Sequence, residues 1–266
     1  MSTITAVIPT VAGREALLAK LLASLPQHIQ RIVVDKNDIP LAAKRNFGGT
    51  YAKGKYIIFI DDDNHLKPGA VDELMKYMTD DIGIMGLTAC YDNDPDRVAD
   101  GGSMRNYKTG FMKGLYTNTD VKNLPDEPYE VDEVANAFII RRQLFRNLGG
   151  FDQLNFPIDL DEADLCRRVK RYGKKIMMCP TAICYHKSYT YSWIPDFRRP
   201  MNAYFMGRNK ILYAKKHGDS IALLLAPVMI LAYCVALIYR KKPWFAVHFL
   251  KGTFDGIFNR TKNRYY

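Results

Sequence analysis

Tyr56-Ile57-Ile58-Phe59-Ile60-Asp61-Asp62-Asp63 is the stretch from which the rest of the chain is read. Five apolar residues in a row, β-branched or aromatic, predict a strand buried on both faces. Such a strand tolerates charge only at its end, and in an open α/β sheet the strand ends are where ligands bind. Side chains alternate across an extended backbone, so Asp61 and Asp63 are expected to point one way and Asp62 the other. Two carboxylates on one side make a hard oxygen site for Mg2+ or Mn2+, with further ligands from water and substrate phosphate. The plain alternative is a solvated acidic turn ahead of Pro68-Gly69.

Working outward, residues 3–9 predict a first strand and 10–13 a loop. Leu17, Leu18, Leu21, Leu22 and Leu25 form a helical stripe over 14–25. A second strand over 31–35 ends in Asp35. A second helix over 39–53 is weakened by Gly48 and Gly49, and Pro68 stands at the start of a third, a position proline tolerates. A fourth strand follows over 82–89. This β-α-β-α-β-α-β alternation predicts a parallel sheet with right-handed crossovers. Residues 91–130, rich in Asp, Asn, Gly and Pro, read as loops and short strands near an acceptor, and Val134–Ile140 as a further strand. The helix expected over 161–173 is acidic first and basic last, as its dipole favours, with Gly173 at its C-terminal cap. Lys175–Tyr185 holds further strand, 188–200 an aromatic loop and 201–217 a helix.

Ser220–Tyr239 then runs for twenty residues without a charge, enough for a bilayer at ~20 residues per crossing. Lys215, Lys216 and His217 precede it, and Arg240, Lys241 and Lys242 follow it. Basic flanks at both ends favour keeping both on the cytoplasmic side. The expected form is a re-entrant or in-plane hairpin bent near Pro227, followed by an interfacial helix with Trp244, Val247, Leu250, Phe254 and Phe258 on one stripe. A buried core helix followed by an ordinary surface helix is the alternative.

The net charge of +10 asks for an anionic partner. No nucleic-acid-binding pattern is present, so an anionic membrane surface is expected and nucleic acid is not. The five cysteines form no CxxC pair, which fits a reducing cytosol, and a first strand almost at the start leaves no signal peptide.

Several spaced stretches, AVIPT-VAGR, RIVVD, AAKRNFGGTYAKGKYIIFIDDD, FIIRRQLFRNLGGFD, DLDEADLCRRVKRYGKKI and YFMGRNKILYAKKHG, together resemble a family 2 glycosyltransferase of the GT-A fold, in its rhamnosyltransferase-like branch. The resemblance covers roughly residues 4–217. It implies an α/β catalytic domain over 1–217, with a Rossmann-like, mostly parallel central sheet and flanking helices. Its nucleotide-binding half is 1–90 and its acceptor half 91–217, and membrane-associating helices occupy 218–266.

In such enzymes the first strand and loop hold the nucleotide, which maps here to Pro9, Thr10 and Arg14. Asp35 maps to the base contact, with Asp38 as rival because the usual Asp-Asn-Gly-Ser is absent. Arg45 and Asn46 match an element near the nucleotide, although Asn46 and Gly48 also suit a helix end. The metal motif (DXD) maps to Asp61 and Asp63, with Asp62 between them and Asp61 able to contact the ribose instead. His186 stands where relatives complete the metal shell, or is simply structural. The family's Glu-Asp pair is reversed here, so Glu162 takes the position of the base with Asp161 beside it. Alternatively, these acids with Asp164 serve only the helix N-terminus. Asn136-Ala137 replaces the usual Gly-Ala near the donor. Arg198, Arg199 and Arg208 are candidates for a diphosphate clamp, the first two equally for solvent or lipid headgroups.

The expected activity is therefore inverting, metal-dependent transfer of one sugar from a nucleotide-diphosphate sugar to a glycan or lipid-linked acceptor, in polysaccharide biosynthesis. Its expected place is the cytoplasmic face of the cell membrane, with a homodimer left open. No Gln-x-x-Arg-Trp element of processive synthases is present. A sugar-nucleotide pyrophosphorylase is a second reading, though it lacks its glycine-rich, lysine-bearing loop. A catalytically inactive glycan- or lipid-binding relative is a third.

Overall fold

The computed structural model describes residues 3–187 and 200–260. Its first third is β1 (Ile4–Pro9), α1 (Glu15–Ser24), β2 (Gln30–Val34), α2 (Leu41–Tyr51), β3 (Tyr56–Ile60), β4 (Asn64–Leu66), α3 (Ala70–Tyr77) and β5 (Ile82–Tyr91). The short strands β6 (Asp94–Asp100), β7 (Ser103–Arg105), β8 (Met112–Gly114) and β9 (Tyr129–Glu130) follow. Then come β10 (Ala137–Arg141), α4 (Arg142–Asn147), α5 (Asp161–Arg171), β11 (Lys175–His186), α6 (Pro200–His217), α7 (Ser220–Tyr239) and α8 (Pro243–Ile257).

The main path of the sheet runs β2-β1-β3-β10-β5-β11-β4. β1 is parallel to β2 and β3, and β11 is parallel to β5. The sheet is mixed: β4 and β9 pair antiparallel with β11, and β6 pairs antiparallel with β5. β10 enters antiparallel between β3 and β5. Its Phe138-Ile139-Ile140 is fully buried, as β3 is, and an antiparallel strand needs no crossover helix to join. Alternation along β3 sends Tyr56, Ile58 and Ile60 into one core with α1 and α3 residues, and Ile57 and Phe59 into another with α4 and α5 residues. Helices therefore cover both faces of the sheet.

Two local expectations also change. Pro68 stands ahead of α3, which begins at Ala70 after Gly69 in the left-handed region (φ 83°). Gly48 and Gly49 do not weaken α2 so much as let it approach the sheet. A Cβ on Gly48 would lie 2.3 Å from Val7 Cγ1.

The C-terminal helices form a layer on the α/β body. α7 is one helix from Ser220 to Tyr239 with Pro227 inside it, so the hairpin expected near Pro227 is absent. Proline removes one helical hydrogen bond, but anchors hold the helix on both sides of it. The Ala222 amide donates to the Lys108 carbonyl (2.9 Å) before it, and Lys210 Nζ donates to the Tyr233 hydroxyl (2.7 Å) after it. At the foot of α7, buried Asp219 takes both guanidinium arms of Arg167 on α5, each at 2.6 Å.

Candidate active site

Because β1, β2 and β3 are parallel and in register, Thr10, Asp35 and Asp61 emerge on the same sheet edge. The pleat does not continue into the acids. The Asn64 amide donates to the Asp61 carbonyl (3.1 Å) and closes a turn, so the expected alternation of Asp61, Asp62 and Asp63 is replaced by a different division. Asp61 faces Arg45, while Asp62 and Asp63 share Arg14.

Arg45, on α2, is 1% exposed. Its Nη2 lies 2.8 Å from Asp61 Oδ1 and 2.9 Å from Glu162 Oε1, and its Nη1 lies 2.7 Å from Asp161 Oδ2. One planar guanidinium thus joins the end of β3 to the start of α5, as its forked geometry allows. Sequence reading placed Arg45 against the nucleotide. The structure engages it with carboxylates instead.

Asp161 is buried on that guanidinium. Glu162 is partly exposed, and its contacts, from Arg45 and from the Asn136 amide (3.0 Å), both fall on Oε1. Burial raises the Glu162 pKa, Arg45 opposes this, and the nearby Asp161 and Asp61 charges raise it further. A carboxyl moved upward in this way is suited to accepting a proton near neutral pH. Asn136 adopts a left-handed backbone (φ 62°), which asparagine tolerates better than most residues. Its carbonyl accepts from the Asp61 amide (3.0 Å) while its own amide holds Glu162, so its backbone contributes to the site.

Asp62 points inward at 1% exposure and accepts from the Thr10 hydroxyl at 2.6 Å. Burial raises its pKa, against the pull of Thr10 and Arg14. Asp63 accepts from Arg14 Nη2 at 2.6 Å and lies 3.4 Å from His186 Nε2. Burial disfavours its charge, but His186 and Arg14 outweigh this and hold its carboxyl at about 2. Burial likewise opposes protonation of His186, and Asp63 outweighs it, raising the imidazole pKa.

Among the described residues no three His, Cys, Asp or Glu side chains form a metal site by themselves. Asp63 and His186 converge as one carboxylate and one imidazole, donors that fit a divalent cation whose other ligands come from diphosphate and water. Asp61, turned to Arg45, stands beside that pair.

Lys44 escaped sequence reading. It is buried, with Nζ donating to the Thr10 carbonyl (2.6 Å) just beyond β1. Burial lowers its pKa, and Asp62, Asp35 and Asp38 pull the other way. The only hint was its place before Arg45. Asp35 and Asp38 are exposed at the end of β2, and Pro9 is buried at the end of β1.

Two other candidates have side chains engaged by loops. The Asn46 amide donates to the Phe151 carbonyl (2.9 Å) and Gln153 Oε1 (2.8 Å), and its Oδ1 accepts from the Phe151 amide (2.8 Å). Arg208 is 1% exposed and donates to the carbonyls of Asn155 (3.0 Å) and Arg260 (3.1 Å). Both side chains hold loops and do not face the carboxylates. Neighbouring Asn209 donates to the carbonyls of Ile158 (2.7 Å) and Asp159 (2.8 Å). That segment includes Asp159 and Leu160 in left-handed conformations (φ 65° and 60°) immediately before Asp161. Arg198 and Arg199 lie outside the described residues. An open groove of about 840 Å3, lined in part by Asn46, Arg146, Arg168 and Lys216, contains none of the acids gathered on Arg45.

The chain resembles solved structures with this architecture. GalNAc-T7, solved with UDP, GalNAc and Mn2+, superposes at a TM-score of 0.62 with 15% identity over 98% of this chain. This chain spans 58% of that one. The mannosyltransferase PcManGT of Pyrobaculum calidifontis, solved with GDP-Man and Mn2+, gives a TM-score of 0.53 with 10% identity, covering 97% of this chain and 88% of that one. A search of curated protein sequences found no match. The model of the family described as Glycosyltransferase like family 2 matches residues 15–207. On that match, and with the mixed α/β sheet of its structural neighbours, the chain belongs to the family 2 glycosyltransferases.

Proposed function

We propose that this glycosyltransferase transfers a single sugar, with inversion, from a nucleotide-diphosphate sugar to a glycan or lipid-linked acceptor at the cytoplasmic membrane face. The observation that carries this reading is the Arg45 cluster. It sets Glu162, partly exposed, beside the Asp61–Asp63 turn, so a base and a diphosphate end stand next to each other. The UDP and GDP-Man held by the two structural neighbours support a nucleotide-sugar donor, and their Mn2+ supports a divalent cation.

In this mechanism Glu162 takes the proton of the acceptor hydroxyl as the oxygen attacks the anomeric carbon. The bond from that carbon to the diphosphate oxygen breaks, and the nucleoside diphosphate leaves with the electron pair. Attack from the face opposite the leaving group inverts the centre. Asp63 and His186 would hold a divalent cation, which when bound would supply neutralisation of the diphosphate charge. Arg14, beside Asp63, adds a fixed positive charge at the same end. Asp35 or Asp38 takes the base, and Lys44 holds the Thr10 loop against it.

Glu162→Gln tests the assignment. Turnover should fall by about 10²–10⁴-fold, the range of general-base catalysis, with donor affinity by calorimetry unchanged. Transfer at the original rate would remove Glu162 from the role. Release of nucleoside diphosphate is expected, and release of pyrophosphate would point to pyrophosphorylase chemistry instead.

A further inference from the structure

α7 has no charged residue along its length, and Ile221, Leu224, Val228, Leu231, Val235 and Ile238 are exposed on it. Only 6% of its apolar window is buried. A second copy of the chain would cover one seam of such a helix and leave polar residues elsewhere. Here Pro227 and Ala232, on either margin of that seam, are exposed as well, and Tyr239 extends it. An exposed face this broad and wholly apolar is matched by an apolar medium. α8 continues the surface with Trp244, Val247, Leu250, Phe254, Ile257 and Phe258. The turn between β7 and β8 adds Phe111 and Met112 and adjoins α7 through the bond from Ala222 to Lys108. Lys108, Lys113, Arg240, Lys241, Lys242 and Lys251 lie in or beside these segments, as basic residues do where a protein meets anionic headgroups.

The packing also fixes an orientation. α7 lies along α6. Asp219 is held by Arg167 at one end, Tyr233 is bound by Lys210 midway, and Leu237 shares a cluster with Ala203 at the far end. Arg208 and Asn209 of α6 are in turn bonded to the catalytic body. To stand across a bilayer, α7 would have to leave α6. We propose that α7, α8 and the β7–β8 turn form one surface seated in the interface of an anionic bilayer, with α7 in the membrane plane. This deepens the proposed membrane location and is independent of the transfer chemistry.

Flotation of the full chain with vesicles of phosphatidylcholine and phosphatidylglycerol tests the seat. The protein should float with the mixed vesicles, and less so in high salt or with phosphatidylcholine alone. The combined variant Leu224→Glu, Val228→Glu, Leu231→Glu should lower bound protein at least about tenfold, because interfacial binding scales with buried apolar area, while donor affinity is retained. Equal flotation of the variant overturns the proposal. So does a native chain that ignores vesicles and runs as a dimer which the same variant dissociates. For orientation, Ile221→Cys and Ile238→Cys are labelled separately, the five native cysteines being buried. Nitroxide lipids confined to the outer leaflet should quench both dyes alike, whereas quenching of only one means a span. Flotation reads binding and not turnover, so E162Q should still float, and the membrane seat and the base can fail separately.

Discussion

At the scale of single residues, the site depends on one guanidinium facing three carboxylates. Removing it by Arg45→Ala leaves Asp161 buried without its partner, a loss of about 3–5 kcal/mol for a broken buried pair. Thermal or urea unfolding should show it. Glu162→Asp is the finer test, because the shorter side chain withdraws from both Arg45 and the Asn136 amide. A displacement of this size should lower kcat about 10²-fold with donor KM unchanged. The raised Glu162 pKa gives the pH dependence a sign. A base must be deprotonated, so kcat/KM should fall on the acid side with a midpoint above the usual carboxylate range, and a pH–rate profile reads it directly. Asp63 also bears on stability. Its folded pKa is depressed to about 2. Its contribution is therefore present above its unfolded value and lost as pH falls toward the folded one, which melting in metal-free buffer at successively lower pH should reveal. These residues were only partly legible beforehand. Residue types at the strand end and helix start announced the acids. Which carboxylate met which cation depended on a turn closed by Asn64, and no alternating pattern encodes that.

At the scale of elements, β3 was legible because burial on both faces is written into its composition. The antiparallel entry of β10 was not, since it is set by pairing between distant segments. Arg45 and Asn46 show a further limit. Adjacent helical residues lie roughly 100° apart, so one reaches the acids and the other the 151–153 loop, although both belong to a single motif. Arg208 reads in sequence as a candidate phosphate contact, but with Asn209 it braces the segment that leads into α5. Asn209→Ala should leave the Ile158 and Asp159 carbonyls without these donors, costing about 1–3 kcal/mol and lowering kcat as α5 shifts. Paired melting and kinetic measurements would show both effects together. Gly48→Ala would drive a methyl into Val7 and should cost about 1–3 kcal/mol, as overpacking does, measurable by urea unfolding without change in donor affinity.

At the scale of the whole molecule, the proposed cation would belong to the reaction and not to the fold. Asp63 already has Arg14 and His186 as partners without it. Chelation should therefore abolish transfer and weaken donor binding while leaving the melting temperature of the donor-free protein unchanged. A fall in melting temperature on chelation would give the metal a structural part instead. The paired arms of Arg167 on Asp219 have a consequence on the same scale. On the proposed reading, α5 begins with the proton acceptor and, little more than a turn later, grips the foot of the helix proposed to face lipid. That joint would set the reacting centre at a fixed height over the bilayer, so the length of the stalk between lipid and sugar would decide which acceptors can reach it.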